Sequence, residues 1–239
     1  MITARAIEGL PEIEPGDDLA ELLAGHGGPG DVVVIAHKVV SKAEGRIRAL
    51  AGVEPGPRAR ALAEELDKDP RHVQAILDET AEIVRAERVL ICRTHHGFVC
   101  ANAGVDQSNA PTDAVILLPH DPDASARRLR AALPGRPAVV IADSFGRAWR
   151  VGQCDVAIGI AGLAAIDDWH GRPDRSGRDL RATAIAIADE AAAAADLARA
   201  GKDAGEPVVV VSGLERFVTD DDGPGAAALV RARDEDLFA

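Results

Sequence analysis

The stretch DVVVIA at residues 31–36 decides the fold, and it directly follows the turn-forming run GGPG at residues 27–30. A short β-branched run after a Gly/Pro-rich turn is typical of a strand that is buried on both faces. Two further stretches have the same character: AVVIA at residues 138–142, which we expect to end at Asp143, and PVVVV at residues 207–211. The sequence therefore predicts three buried strands.

Helices are predicted between these strands. A break at Asp69-Pro70 separates the first two of them, because proline cannot continue a helix from the preceding turn. The segment around Gly97 is expected to contain two strands joined as a hairpin. The predicted helices are 57–67, 71–77, 123–133 and 182–200, the hairpin is 88–103, and the tail 226–239 is a further candidate helix.

Helices and strands alternate irregularly along the chain. They do not repeat as clean βαβ units, so we predict an α+β fold with a mixed sheet rather than a Rossmann sheet. No internal repeat is present. We expect one domain over residues 1–239, with a candidate subdomain boundary at residues 135–137.

Composition argues against a nucleic-acid partner. The chain has 239 residues, a formal net charge of −12, four Phe, two Trp and no Tyr. Proteins that bind nucleic acids usually carry basic surfaces and aromatic rings on which bases stack. A single nucleotide remains compatible with an acidic chain, provided that cations are concentrated locally or metal ions bridge its phosphates.

The N-terminus and the apolar stretches predict a cytoplasmic protein that does not span a membrane. Residues 1–18 contain no apolar core of a signal peptide, and the apolar runs are too short to cross a bilayer. Cys92, Cys100 and Cys154 are an odd set without CxxC spacing, so we expect reduced thiols in or near the core rather than a zinc site.

The common phosphate-binding motifs are absent from the sequence: there is neither a GxxxxGK[ST] loop nor a GxGxxG that opens a helix. The most basic stretch after a strand is residues 37–46, HKVVSKAEGR. Lys38, Lys42 and Arg46 are spaced by four and would lie on one helical face or project from a turn. By itself, such a pattern is more typical of a solvated basic face than of a binding site.

Two polar clusters follow apolar sequence and could bind a metal ion. Asp106 and Asn109 lie after a glycine-bearing strand, and Asp143 is followed by Ser144 at the predicted end of a buried strand. Carboxylate and hydroxyl oxygens on a rigid support suit magnesium or manganese. Taken singly, each aspartate is more readily explained as a turn or helix cap.

Five motifs in order resemble the coenzyme F420-0:γ-glutamyl ligase family, over about residues 7–217. Several motifs in one order with similar gaps are far more specific than any of them alone. They are GLPEIEPGDD (9–18), KVVSKAEGR (38–46), AGVDQSN (103–109), DSFGRAWRVGQCDVAIGIAGL (143–163) and ATAIAIADEAAAAADL (182–197).

The resemblance implies a GTP-dependent ligase that uses divalent ions and forms an intertwined homodimer with an α+β fold. It implies Mg²⁺ or Mn²⁺, two ions in all, with K⁺ as a further candidate. The metal ligands it implies are Asp106 and Asp143 for one ion and Ser144 for the second. The nucleotide contacts it implies are Leu10, Pro11, Glu12, Ile13, Lys42 and Asn109, together with a loosely matched last segment at residues 210–217.

His37 departs from the family pattern, in which a small polar residue is usual at this position. We expect His37 to contact the nucleotide as a donor to a phosphate or base, or to alter the nucleotide preference. The implied reaction activates a carboxylate as an acyl phosphate, which glutamate then attacks. Lys42 and Arg147 are the catalytic candidates, and Arg46, Arg147 and Arg150 are candidate cations for glutamate and the anionic deazaflavin precursor.

Two other functions are compatible with the same residues. Aspartates at strand ends also serve metal-dependent phosphohydrolases, which would hydrolyse GTP without an amine acceptor. Alternatively, the chain could be a non-catalytic nucleotide-binding module, which only the unusual His37 favours. The joint presence of Lys42, Asp106 and Asp143 with Asn109 and Ser144 argues against that module.

Overall fold

A computed structural model describes residues 1–201 and 203–236. The strands are β1 (Thr3–Ala6), β2 (Val32–Ala36), β3 (Ile47–Ala49), β4 (Thr80–Ala86), β5 (Leu90–Thr94), β6 (Val99–Ala101), β7 (Ala114–Ile116), β8 (Ala138–Arg147), β9 (Arg150–Ala161), β10 (Asp167–Asp168), β11 (Ala184–Ile185) and β12 (Val208–Ser212). The helices are α1 (Leu19–Leu22), α2 (His37–Ala43), α3 (Pro57–Leu66), α4 (Pro70–Asp78), α5 (Pro122–Ala132) and α6 (Ile187–Ala198).

A five-stranded mixed sheet forms the centre of the molecule, in the order β1-β12-β2-β8-β9. The three predicted valine-rich strands are neighbours in it. β2 runs parallel to β8 and antiparallel to β12. Their side chains are almost fully buried, as expected for strands covered on both faces. The mixed sheet agrees with the predicted α+β class.

Helices cover both faces of this sheet. On one face, α6 packs through small residues that allow close approach, among them Ala188, Ala192 and Ala195. On the other face, α1, α2 and α5 bury Leu19, Val40 and Ala126 against the strands. The site described below depends on α2, because this helix begins at the residue that follows β2.

The segment between α2 and α5 has a separate hydrophobic core. Here α3 and α4 pack on the three-stranded sheet β4-β5-β6, and the pair β3-β7 lies beside them. The strands β5 and β6 are antiparallel and flank Gly97, which confirms the predicted hairpin. Within this segment, the backbone of Asp106 pairs with that of Ile116, the last residue of β7.

Two element boundaries and the placement of Arg46 bear on the sequence-based prediction. The second buried strand does not end at Asp143: β8 continues to Arg147, because it keeps pairing with β9 after β2 has ended. The helix predicted from residue 182 begins only at Ile187, since Ala184 and Ile185 pair with β10 instead. Of the two placements predicted for the three spaced cations, the structure excludes a shared helical face, because Arg46 lies beyond the end of α2.

The tail is not a regular helix over its described part. It forms short 3-10 turns at Ala226–Leu229 and Arg233–Glu235, and residues 237–239 of the predicted helix lie outside the described residues. Residues 135–137 lie in the connection between α5 and β8, and a subdomain boundary there stays a prediction. Within residues 1–201 and 203–236, no helix is long and apolar enough to cross a membrane.

Candidate active site at the start of helix α2

The parallel strands β2 and β8 bring their carboxyl ends to the same edge of the sheet. Ala36, the last residue of β2, is the register partner of Ala142, so Asp143 lies just beyond the end of β2. The chain leaves β2 directly into α2 at His37. In open sheets with parallel strands, ligands commonly bind at such an edge.

His37 contacts Asp143, one of the two predicted metal carboxylates. Its Nε2 lies 3.3 Å from Oδ1 of Asp143, and its Nδ1 lies 3.4 Å from the Ser41 hydroxyl. The His37 side chain is buried, with 3% of its surface exposed. Asp143 Oδ1 also accepts the backbone N–H of Ser144 at 2.8 Å. His37 is thus held against a carboxylate inside the protein.

Lys38, the next residue, contacts Asp106, the other predicted metal carboxylate. Its Nζ lies 2.7 Å from Oδ2 of Asp106 and also donates to the Ser108 hydroxyl. The backbone N–H of Ser108 donates to Asp106 Oδ1 at 2.7 Å, and its hydroxyl donates to Oδ2 at 2.8 Å. Burial disfavours the charged carboxylate, but the hydrogen bonds from Lys38 and Ser108 outweigh it, so the pKa of Asp106 lies below its ordinary value.

Both predicted carboxylates therefore lie within side-chain reach of the first turn of α2. Asp106 and Asp143 are far apart in sequence, yet they contact consecutive residues, Lys38 and His37. Within the described part of the chain, no group of three or more His, Cys, Asp or Glu side chains could hold a metal ion. Two carboxylates fit an ion that completes its shell with substrate phosphates and water, as Mg²⁺ usually does.

Lys42 lies one turn further along α2 and pairs with Glu12. The Nζ of Lys42 donates to Oε1 of Glu12. The lysine side chain is largely buried, whereas that of Glu12 is 78% exposed. This ion pair joins two segments that the motif resemblance assigns to the nucleotide. The other members of the first segment differ in character: Ile13 is a core residue, and Leu10 packs against the same core.

Ser144 points away from Asp143, because successive side chains of a strand face opposite sides of the sheet. Its hydroxyl donates to Oδ1 of Asp155, its register partner in β9, at 2.5 Å. The other oxygen of Asp155 accepts from Arg199 Nη1 at the end of α6, at 2.5 Å. Ser144 is thus held by a buried ion pair on the α6 side.

The matching family model is that of the F420-0:Gamma-glutamyl ligases, and it covers residues 9–213. The chain belongs to this family. It is 43% identical to the coenzyme F420:L-glutamate ligase of Methanothermobacter thermautotrophicus, over 99% of this chain and 98% of that relative. It is 45% identical to the Halobacterium salinarum ligase of the same name, over 98% of this chain and 94% of the relative. For the Methanopyrus kandleri ligase the identity is 45%, over 97% and 96% of the two chains.

Not every residue expected at a ligase site joins the group around α2. Arg147 lies at the exposed end of the β8-β9 hairpin, where its guanidinium donates to the carbonyl of Val151 at 2.9 Å. Asn109 is exposed and has a left-handed backbone, with a φ of 58°. Arg46 donates to the carbonyl of Leu118 and to Glu79, each at 2.8 Å, so its guanidinium is paired within the protein.

Two residues that contact the predicted site residues are not predicted from the sequence. In the sequence, Lys38 belongs only to a basic segment, and its contact with Asp106 depends on the fold. Asp155 has no motif around it, although it is an acid in the buried half of β9 and is only 2% exposed. A lone acid in an apolar strand is a usable signal, since buried charges are normally paired.

Proposed function

We propose that this protein is a GTP- and divalent-metal-dependent ligase that adds L-glutamate to the deazaflavin precursor of coenzyme F420 through a γ-linkage. The observation that carries the proposal is that Asp143 and Asp106 contact consecutive residues, His37 and Lys38, in the first turn of α2, one helical turn before Lys42. The names of the curated relatives supply the substrate class. As the motif resemblance implies, we propose that it acts as a homodimer.

The reaction requires an activated carboxylate, because a carboxylate does not condense with an amine in water. The acceptor carboxylate attacks the γ-phosphorus of GTP, and the bond to the β-phosphate oxygen breaks, giving GDP and an acyl phosphate. The glutamate amine then attacks the acyl carbon, inorganic phosphate leaves, and the amine loses a proton to solvent. Both steps depend mainly on positioning and on neutralising phosphate charge.

Asp106 and Asp143 would hold one divalent ion and Ser144 a second. Their donor atoms are carboxylate and hydroxyl oxygens, which suit Mg²⁺ or Mn²⁺. Asp143 and Ser144 face opposite sides of β8, so we assign them to different ions. When bound, such ions neutralise the charge on phosphate oxygens. His37 and Lys38 would then orient the two carboxylates from the protein side, each contacting one of them.

Lys42 would bind the phosphates of the nucleotide. Its ammonium group now pairs with Glu12, whose carboxylate resembles a phosphate in charge and in its acceptor oxygens. Because the Glu12 side chain is mostly exposed, it can turn into solvent when a nucleotide arrives. Arg147 and Arg150 remain the candidate cations for the anionic acceptor, since both lie on the exposed end of the β8-β9 hairpin.

Mass spectrometry of the deazaflavin product tests this function. The protein is incubated with the precursor, glutamate, GTP and Mn²⁺, while phosphate release is followed in parallel. A ligase raises the product mass by glutamyl units and releases phosphate only when both acceptor and glutamate are present. Phosphate release without glutamate would indicate a phosphohydrolase, and nucleotide binding without any turnover would indicate a non-catalytic module.

A further inference from the structure

Phe145 lies on the part of β8 that extends beyond β2. The last residue of β2, Ala36, has Ala142 as its register partner, and from there β8 pairs only with β9. Phe145 follows Asp143 by two residues, so it lies about 7 Å further along the strand and on the same face. Its ring packs against the hydrophobic cluster that contains Val40 of α2. An aromatic side chain is therefore the neighbour of the predicted metal carboxylate on this face.

Phe145 belongs to a series of three rings, which we call the aromatic series. Its ring meets that of Phe98 edge to face, with the centroids 6.4 Å apart and the planes at 68°. Phe98 in turn stacks on His96, with the centroids 5.7 Å apart and the planes at 18°. All three residues are half-buried, so part of their surface is accessible. The chain has only four Phe and no Tyr, and two of those four meet beside Asp143.

Two members of the aromatic series are held in place by the Gly97 hairpin and its surroundings. The Nε2 atom of His96 lies 3.0 Å from the carbonyl oxygens of both Pro119 and His120. The backbone N–H of Phe98 donates to the Thr94 hydroxyl at 3.2 Å. These contacts are all within the protein, so the rings are arranged before any ligand arrives, which lowers the entropy cost of binding.

The same extension of β8 and β9 carries cations beyond Phe145. Arg147 and Arg150 lie at its exposed end. This surface thus combines a carboxylate that suits a metal ion, an aromatic ring and two guanidinium groups. A molecule that matches it has a planar ring, anionic groups and a reacting atom close to metal-bound phosphate. In the proposed function, GTP is bound through Lys42, one turn into α2, so the surface along β8 is left for the acceptor.

We propose that the deazaflavin ring of the acceptor packs against Phe145, which makes Phe145 a determinant of acceptor specificity. This inference rests on the proposed function, in which the acceptor is a deazaflavin. Aromatic side chains bind planar heterocycles through stacking and edge contacts that an aliphatic side chain cannot reproduce. A phenylalanine that only completed the core could be replaced by leucine with no effect on acceptor affinity.

The test is the affinity for the deazaflavin precursor, measured by isothermal titration calorimetry without glutamate and with Mn²⁺ and a non-hydrolysable GTP analogue present. Phe145→Leu removes the ring and keeps an apolar side chain, whereas Phe145→Tyr keeps the ring. Trp169→Leu is the matched control, because Trp169 is also a half-buried aromatic residue but lies next to β10 and contacts Arg172. The affinity for the GTP analogue is measured separately for each variant.

We expect Phe145→Leu to weaken precursor binding by about 5- to 100-fold, the range for the loss of one stacking contact with a heterocycle. Its affinity for the GTP analogue should not change. Phe145→Tyr and Trp169→Leu should bind the precursor as the wild type does. Circular dichroism establishes that each variant is folded, and Phe145→Met provides a more adaptable apolar side chain should Phe145→Leu not fold.

Three results would overturn the inference while leaving the proposed function intact. The first is a folded Phe145→Leu, or Phe145→Met in its place, that binds the precursor with wild-type affinity. The second is an equal loss in Phe145→Tyr, which would mean that the shape of the side chain and not its ring sets the affinity. The third is a loss of affinity for the GTP analogue instead of the precursor, which would place the guanine base on Phe145. If the wild type itself bound no precursor, both the inference and the acceptor of the proposed function would be wrong.

Discussion

The Nε2 atom of His37 lies 3.3 Å from Oδ1 of Asp143. This contact crosses from the first turn of α2 to the part of β8 that extends beyond β2. The unusual histidine of this chain is therefore a neighbour of the predicted metal carboxylate. Any role in nucleotide preference would have to be exerted from that buried position.

Asp143→Asn should weaken metal binding by at least about tenfold and reduce turnover with it, because it removes one charge from a hard-oxygen ligand. The amide oxygen can still accept from the backbone N–H of Ser144, so the free energy of unfolding should change by only about 1 kcal/mol. Calorimetric Mn²⁺ titration and urea denaturation measure the two effects. Wild-type turnover in this variant would exclude Asp143 from the metal site.

Lys42→Met should weaken GTP binding by about tenfold or more while the protein stays folded, because the lysine would act as a point charge on the phosphates. Isothermal titration calorimetry measures the affinity. The control is Arg85→Met, which also removes one cation, from an exposed pair with Glu87. If both variants bound GTP equally well, Lys42 would be only a partner of Glu12.

Glu12→Gln tests whether the carboxylate competes with phosphate for Lys42. The substitution removes the charge that now pairs with the lysine, so GTP affinity should stay the same or rise by a few-fold. Competition with a fluorescent GTP analogue measures the change. A large loss of affinity would instead mean that Glu12 itself contacts the nucleotide.

Gly159→Ala tests the packing of α5 on the sheet. A Cβ at this position would lie 2.6 Å from the carbonyl carbon of Pro122, so the helix would have to move away. We expect a loss of about 1–3 kcal/mol in the free energy of unfolding, as for other overpacked sites. Gly146→Ala is the control: a Cβ there meets nothing within 4 Å, and its effect should stay within about 0.5 kcal/mol. Equal stability of the two variants in urea would contradict the packing argument.

Asp189→Asn tests the pH dependence of stability. Burial raises the pKa of the Asp189 carboxyl above its ordinary value, despite the hydrogen bond from the Ala157 backbone. Ionising this group therefore costs more in the folded than in the unfolded state, and the cost grows as pH rises through the folded-state pKa. The asparagine variant keeps an acceptor oxygen and should be as stable as the wild type or more stable at pH 7.

The difference between this variant and the wild type should shrink as pH falls below the ordinary pKa of aspartate, about 4, where the carboxyl is protonated in both states. Thermal melts at a series of pH values measure it. The prediction would be wrong if the Asp189→Asn variant were less stable than the wild type at pH 7 but not at low pH. That result would mean that the charged carboxylate stabilises the fold.

The sequence by itself determined the central strands, the Gly97 hairpin and the family. Runs such as residues 31–36 and 207–211 are so rich in β-branched residues that their strand propensity and their tendency to be buried both favour a central strand. The motifs around Lys42, Asp106 and Asp143 fixed the family for a related reason: their order and spacing are local properties of the chain, readable without any contact.

Only the tertiary structure decided where β8 ends and which side chains meet. β8 extends to Arg147 because β9 supplies its hydrogen-bond partners, and no local property of residues 143–147 reveals that pairing. The Lys38–Asp106 and Ser144–Asp155 contacts join residues that are separated in sequence and that only the fold brings together. The sequence indicates the candidate metal ligands, but which side chains contact and orient those ligands depends on long-range packing.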